Sequence, residues 1–339
     1  MSQYYYNPFG SGSGVNEAMH RELQKQQMIK NEKHEIRMIS LTMGCAIVAY
    51  IIIQAVVSGA LLTFDLYDLY LNNALFQYSF SIIGVSFAAV AVPFGVMALI
   101  NKKKYTSPLI PNKVLKPQKV LAWICFGMLC CCISQVVVSF IVTFFQTFLG
   151  LELQSSEVTE PDSVFSSVMC LISLAIIPAL CEEFAMRCCS LQLLKKYGKG
   201  FSIVAVSIVF GLLHGNVVQF IFAFSVGLIL GYITVTTDSI VPAVFIHALN
   251  NSMSVVQLIL NKYIGEDTSS NTITAIYIVW IAAGIISAVY LALKKELIKK
   301  SKSRSVLTTG QKFTAFLFPW MIVPFLILIG LTATTVAKV

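Results

Sequence analysis

Three ionisable side chains stand at the end of an apolar run, where a charge is costly. The stretch 181–189, CEEFAMRCC, follows SSVMCLISLAIIPAL and contains Glu182, Glu183 and Arg187. A charge at the centre of a bilayer costs about 2.5 kcal/mol or more, so each group requires a partner or a chemical role. Residues four apart share one helix face, which pairs Glu183 with Arg187. Glu182 points elsewhere and has no basic residue three or four positions away.

Further polar residues interrupt the two apolar runs that follow. His214 ends FSIVAVSIVFGLLH, and VPAVFIHALNNSM contains His247, Asn250 and Asn251. At about 1.5 Å per helical residue from the flanking charged loops, Glu182, His214, His247 and Asn251 lie at similar depth. Three separate helices are therefore predicted to supply one polar cluster near mid-membrane.

A glutamate, two histidines and an amide in a confined wet site favour hydrolysis. The carboxylate can take a proton from water, a histidine can hold that water or protonate a leaving amine, and an amide can donate to an oxyanion. The same ligands, Glu182, His214 and His247, also fit a single divalent metal such as zinc, although HExxH is absent. A cofactor is therefore either absent or one such metal. Two alternatives stay open: helix-stapling histidines and a proton-coupled transporter that uses Glu182.

Composition identifies the elements that position this cluster. The chain is 57% hydrophobic and only 12% charged, with a mean hydropathy of +0.78. We predict an all-α polytopic membrane protein, a bundle of eight or nine transmembrane helices with a mid-membrane polar cavity. The run 164–181 is expected to continue as helix to Leu194, and 201–213 is short. The predicted spans are 38–63, 76–100, 120–150, 164–181, 201–213, 217–235, 240–261, 272–293 and 313–336.

Charge in the loops predicts the topology. Most lysines and arginines lie in the blocks 21–37, 102–119, 195–199 and 294–312, and the intervening loops are acidic. By the positive-inside rule, the N-terminus and the basic loops are cytoplasmic. The net charge of +8 is therefore a topology signal, and no nucleic-acid partner is expected. If 313–336 is a ninth span, the C-terminus lies outside.

Three motifs follow one another along the chain: Glu182-Glu183-x-x-x-Arg187, Phe210-x-x-x-His214 and His247-x-x-x-Asn251. In order and spacing they resemble those of the CPBP family, which includes type II CAAX prenyl proteases and bacteriocin-processing, Abi-like proteins. The resemblance covers about 165–260, where FGLLHGN and HALNN also fit the family. It implies an all-helical intramembrane protease with a cytoplasm-facing cavity.

The resemblance also implies catalytic roles. Glu182 would be the general base that activates water, with His214 assisting it. His247 and Asn251 would stabilise the oxyanion. Metal dependence stays open, because the family has been described both as metalloproteases and as glutamate-dependent proteases.

The remaining motif residues would support the site. Glu183 and Arg187 would form a structural pair, and Phe210 matches a motif position that we interpret as packing. Met186 and Cys188 depart from the aromatic and the glycine that often flank the arginine in the family. This departure leaves the shape of the cavity, and so the substrate preference, open.

These observations predict an intramembrane endopeptidase that acts on a hydrophobic, lipidated or membrane-embedded peptide, with membrane lipid as its surroundings. The protein would be multi-pass, in the plasma membrane if bacterial. The main alternative is a non-catalytic scaffold or bacteriocin-immunity protein of the same fold. The predicted divisions are a polar tail (1–37), N-terminal helices (38–163), a catalytic core (164–262) and C-terminal helices (263–339).

Overall fold

The computed structural model describes residues 12–153, 159–297 and 305–338, and these are almost entirely helical. Ten principal helices follow one another along the chain, and a short helix, Tyr67–Asn72, lies between the first two. They are α1 Gly12–Thr63, α2 Ala74–Ile100, α3 Pro117–Leu149, α4 Val164–Tyr197, α5 Lys199–Leu212, α6 Val217–Thr237, α7 Val241–Ile264, α8 Glu266–Leu293, α9 Thr309–Phe316 and α10 Ile322–Ala333.

Seven of these helices, α1 to α4 and α6 to α8, are long and apolar enough to cross a membrane. The prediction of an all-α polytopic membrane protein is confirmed. Two of the predicted runs, 201–213 and 313–336, do not form a single helix long enough to span a membrane. The 14 residues of α5 extend about 21 Å, short of the roughly 30 Å of a bilayer core. The second run is broken between α9 and α10, next to Pro319, because proline cannot donate an intrahelical hydrogen bond.

The predicted continuation of one helix agrees with the structure. The stretch 164–181 continues as helix through Leu194 within α4. Residues 17–37 of the predicted polar tail are also helical, as part of α1. Residues 1–11 of the predicted polar tail lie outside the described residues, and the division of the chain into four parts stays a prediction.

The basic segments meet at one end of the bundle, which we call the basic end. There Lys195 pairs with Asp238 at 3.0 Å and Lys196 with Glu35 at 2.9 Å. The block 102–119 reaches the same end, because the backbone of Lys113 donates to the carbonyl of Asp238.

The acidic loops meet at the other end, which we call the acidic end. The Tyr78 hydroxyl donates to the carbonyl of Thr159 at 2.8 Å, and Lys262 bonds the carbonyl of Pro161. Two short strands, β1 Leu151–Leu153 and β2 Val336–Lys338, pair in antiparallel fashion. Because α3 leads from the basic end to β1, the strand pair places the end of the described chain at the acidic end. The segment that holds α9 and α10 therefore passes from one end to the other.

Candidate active site

The two adjacent glutamates lie in a short α-helical stretch of α4 between two π-helical segments. Ile177–Glu183 is α-helical, whereas Ile172–Ile176 and Phe184–Ser190 have π geometry. Pro178 follows the first π segment and has no amide hydrogen to donate, so the helix widens where that bond is missing. Widened turns of this kind are frequent at functional sites because they redirect side chains.

Glu183 and Arg187 form the ion pair that their spacing predicts. The Arg187 Nε lies 3.1 Å from the Glu183 Oε2, and both side chains are fully buried. The other Glu183 oxygen, Oε1, lies 2.9 Å from the Nδ1 of His247 on α7. Glu183 therefore joins α4 to α7 as well as neutralising Arg187.

The Phe210 ring lies at the centre of the cluster. The Arg187 guanidinium carbon is 5.1 Å from the ring centroid. Within the described residues, the terminal nitrogens of Arg187 are buried without a hydrogen-bond partner, so the ring face offers them a compensating cation–π contact. The rings of His214 and His247 lie 5.0 and 5.7 Å away, nearly perpendicular to it. Phe210 packs, as predicted, and also carries this electrostatic contact.

His214 lies in a tight turn between α5 and α6. Gly215 adopts a φ of 62°, which suits glycine, and the Asn216 side chain caps α6 by accepting from the amides of Val218 and Gln219. Gly211 lets α5 approach α6 closely, since a Cβ at this position would lie 2.9 Å from the Phe220 ring.

The ring of His214 is oriented by the end of α5. Its Nδ1 lies 2.9 Å from the carbonyl oxygen of Phe210. Because a carbonyl oxygen only accepts, Nδ1 carries the proton and Nε2 of the neutral ring is an acceptor. The Nε2 is therefore the ring nitrogen that can accept a hydrogen bond or a proton.

Glu182 differs from its neighbour in its contacts. Its side chain is 24% exposed, and its Oε2 lies 3.7 Å from the His247 Nε2. Within the part of the chain that the structure describes, Oε2 is buried without a hydrogen-bond partner. The 3.7 Å between the Glu182 Oε2 and the His247 Nε2 is within ion-pair range if that histidine is protonated.

Two cavities meet at the cluster. The first, of about 520 Å³, is lined by Glu182 and His214 together with residues of α1 and α10. The second, of about 600 Å³, is lined by His214, His247, Asn250 and Asn251. Phe210, His214 and Gln219 border both. The structure therefore brings the predicted residues of the three motifs together, with Glu182 on one side and Asn251 on the other.

The predicted metal ligands do not form a metal site in this arrangement. Glu182 and His247 approach each other, but the described residues contain no group of three or more His, Cys, Asp or Glu side chains placed to hold an ion. The Nδ1 of His247 is bonded to Glu183, so Nε2 is the ring atom that a metal would bind. The donor set thus falls short of the three protein ligands that a catalytic zinc requires.

The contribution of α1 to the site was not predicted from the sequence. Tyr50 and Gln54 line the first cavity beside Glu182. The Tyr50 hydroxyl donates to the Leu213 carbonyl at 2.6 Å, next to His214. A signal was present, because Gln54 is a polar residue within an apolar run, four positions after Tyr50.

Comparison with known proteins gives one family. Residues 164–253 match the family model described as type II CAAX prenyl endopeptidase Rce1-like. The search of curated proteins and the search of solved structures gave no match. The matched segment contains all seven residues of the three motifs, and the apolar helices around it are those of an integral membrane protein. The resemblance to the CPBP membrane proteases, predicted from these motifs, is therefore confirmed over residues 164–253.

Proposed function

We propose that the protein is an intramembrane endopeptidase whose Glu182 activates the water that attacks a peptide bond. One observation carries the proposal: the two adjacent glutamates are in opposite situations. Glu183 forms an ion pair with Arg187 at 3.1 Å and a hydrogen bond with His247 at 2.9 Å, whereas Glu182 lines a cavity and its Oε2 comes no nearer than 3.7 Å to the His247 ring. A buried carboxylate oxygen without a partner beside a cavity is suited to binding and deprotonating a water molecule.

His214 assists Glu182 in this proposal. Its Nε2 is an acceptor because Nδ1 is bonded to the Phe210 carbonyl. Water gives its proton to Glu182, with His214 helping to orient it, and the hydroxide adds to the substrate carbonyl carbon. The C–N bond then breaks, and the proton passes to the leaving amine. The products are a carboxylic acid and an amine, as hydrolysis requires.

His247 and Asn251 are proposed to stabilise the oxyanion. Glu183 holds the Nδ1 of His247, so Nε2 is the ring atom directed toward Glu182. Donation from Nε2 requires that this atom carry a proton, which makes His247 an imidazolium during the reaction. The Asn251 amide would act from the second cavity, which it lines together with His247.

The lining of the cavities favours a hydrophobic substrate. Both are walled largely by apolar side chains, and the polar lining residues other than Glu182 and the histidines are uncharged. We therefore propose hydrophobic, lipidated or membrane-embedded peptides as substrates. The basic end would face the cytoplasm, in the plasma membrane if the protein is bacterial.

A cleavage assay with matched variants tests the proposal. The purified protein in detergent is incubated with a quenched library of hydrophobic peptides, beside Glu182→Ala, His214→Ala and the control Glu160→Ala. Glu160 is an exposed carboxylate at the acidic end. We expect cleavage by wild type and Glu160→Ala only. Cleavage that survives both site substitutions contradicts the proposed roles, and a wild type without cleavage supports a non-catalytic scaffold.

A further inference from the structure

A hydrogen-bonded pair on α1 contacts the turn that carries His214. Tyr50 is 8% exposed, and its hydroxyl donates to the Leu213 carbonyl at 2.6 Å. The same hydroxyl accepts from the Gln54 Nε2 at 2.9 Å. Both the donor and the acceptor function of the hydroxyl are therefore used, and its position is fixed from two sides.

The bonded carbonyl belongs to a backbone that the helix no longer stabilises. α5 ends at Leu212 and α6 begins at Val217, so the Leu213 carbonyl lies past the last helical residue. Carbonyls at a helix C-terminus lack intrahelical donors, and leaving one unpaired in an apolar environment is costly. The Tyr50 hydroxyl supplies the missing donor one residue before His214.

The same pair shares the cavity of the unpaired carboxylate. Tyr50, Gln54, Glu182 and His214 all line the first cavity. Rotation or displacement of the turn at 213–216 would therefore change the approach of His214 to this cavity. The bond between Tyr50 and Leu213 opposes that movement.

We propose that Tyr50, held by Gln54, is a positioning residue that fixes His214 relative to Glu182. This inference rests on the proposed function, and it extends the site beyond the matched segment 164–253 to the first helix. Tyr50 acts through the Leu213 backbone and is not itself a proton carrier, because its hydroxyl is occupied.

The test compares Tyr50→Phe with a matched control, Tyr78→Phe. Tyr78 is buried as well and donates to a backbone carbonyl, that of Thr159 at 2.8 Å, but at the acidic end. Both substitutions remove one hydroxyl and one such bond. For Tyr50→Phe we expect kcat about ten-fold lower with little change in KM, since misplacement of a catalytic group lowers the rate of the chemical step. Tyr78→Phe should keep the wild-type kcat.

A second readout does not depend on activity. The chain has four histidines, so 15N-histidine NMR of the purified full-length protein in nanodiscs gives a small set of ring signals, assigned with His214→Ala and His247→Ala. Tyr50→Phe should shift the His214 signals and leave those of His247, which Glu183 holds. Gln54→Leu should shift them in the same direction by a smaller amount.

The outcomes separate the two proposals. If wild type cleaves no peptide, the proposed function fails, while the NMR comparison still decides whether Tyr50 positions His214. Unchanged His214 signals in Tyr50→Phe overturn the positioning role, as does a kcat equal to that of Tyr78→Phe. If Tyr50→Phe is too unstable to purify, Gln54→Leu decides, and unchanged His214 signals in that variant overturn the proposal.

Discussion

Glu183 and His247, 64 residues apart in the chain, are joined by a 2.9 Å contact between Oε1 and Nδ1. Because the second oxygen of Glu183 pairs with Arg187, this carboxylate is fully committed to structure. Among the residues that the structure describes, the neighbouring Glu182 has only a longer approach of 3.7 Å to His247. Two adjacent glutamates thus have different environments: Glu183 joins α4 to α7, and Glu182 faces the cavity.

The adjacent glutamates predict opposite effects of one substitution. Glu183→Gln breaks a buried ion pair, so we expect it to lower the free energy of unfolding by about 3–5 kcal/mol. Glu182→Gln removes no hydrogen bond and should keep a melting temperature near that of wild type. Its cleavage rate should fall about 10²-fold or more, as expected for loss of a general base. Thermal unfolding in detergent and peptide cleavage, measured on both variants, check this.

Each variant is the control for the other, because the chemical change is the same. A Glu182→Gln protein that cleaves at the wild-type rate would show that Glu182 is not the base. A Glu183→Gln protein as stable as wild type would show that the buried pair contributes no net stability.

Phe210 provides a second prediction, which concerns the buried guanidinium. Phe210→Leu removes the ring under Arg187 and should cost about 2 kcal/mol for a desolvated cation–π contact, in addition to lost packing. The matched control is Phe201→Leu on the same helix. The Phe201 ring is 6% exposed and packs against Phe313 at 5.1 Å. Thermal unfolding should show a larger loss for Phe210→Leu, and cleavage should fall only in that variant. If both variants lose the same stability and both cleave at the wild-type rate, Phe210 acts only as a packing residue.

Helical spacing predicted the part of the site that is local in sequence. The pairing of Glu183 with Arg187 and the lack of a local partner for Glu182 both follow from positions four apart on one helix. The grouping of the motifs at similar depth followed from counting residues between charged loops. These inferences use only the geometry of single helices, which the sequence determines well.

Contacts between side chains of different helices could not be predicted from helical spacing. Whether His247 faces Glu183 or an oxyanion depends on how α7 is rotated against α4, and side-chain packing decides that rotation. The role of Tyr50 depends on α1 lying beside the turn at 213–216. Gln54 indicated a polar position on α1, but the sequence did not indicate which residue it contacts. The break between α9 and α10 had a clearer signal in Pro319.

Metal dependence gives a third prediction. Because the described residues hold no group of three side chains placed to bind a metal ion, we expect chelation to leave peptide cleavage unchanged. Metal analysis of the purified protein should find much less than one equivalent of zinc. The control is Glu182→Gln, whose metal content should equal that of wild type. Loss of cleavage with a chelator, restored by zinc, would contradict this and would require His214 to move toward Glu182 and His247.

The strand pair predicts the location of the C-terminus. β2 pairs with β1, which follows α3 at the acidic end, whereas Ser305 bonds Glu32 near the basic end. If the basic end faces the cytoplasm, alkaline phosphatase fused after Lys338 should be active in a bacterial host, and the same fusion after Leu307 should be inactive. The two fusions differ only by the segment that holds α9 and α10. An active fusion after Leu307 with an inactive fusion after Lys338 would reverse the proposed orientation of the basic end. Inactivity of both would mean that this segment does not cross the membrane, since α10 alone, at 12 residues, is only about 18 Å long and depends on its neighbours to span the bilayer.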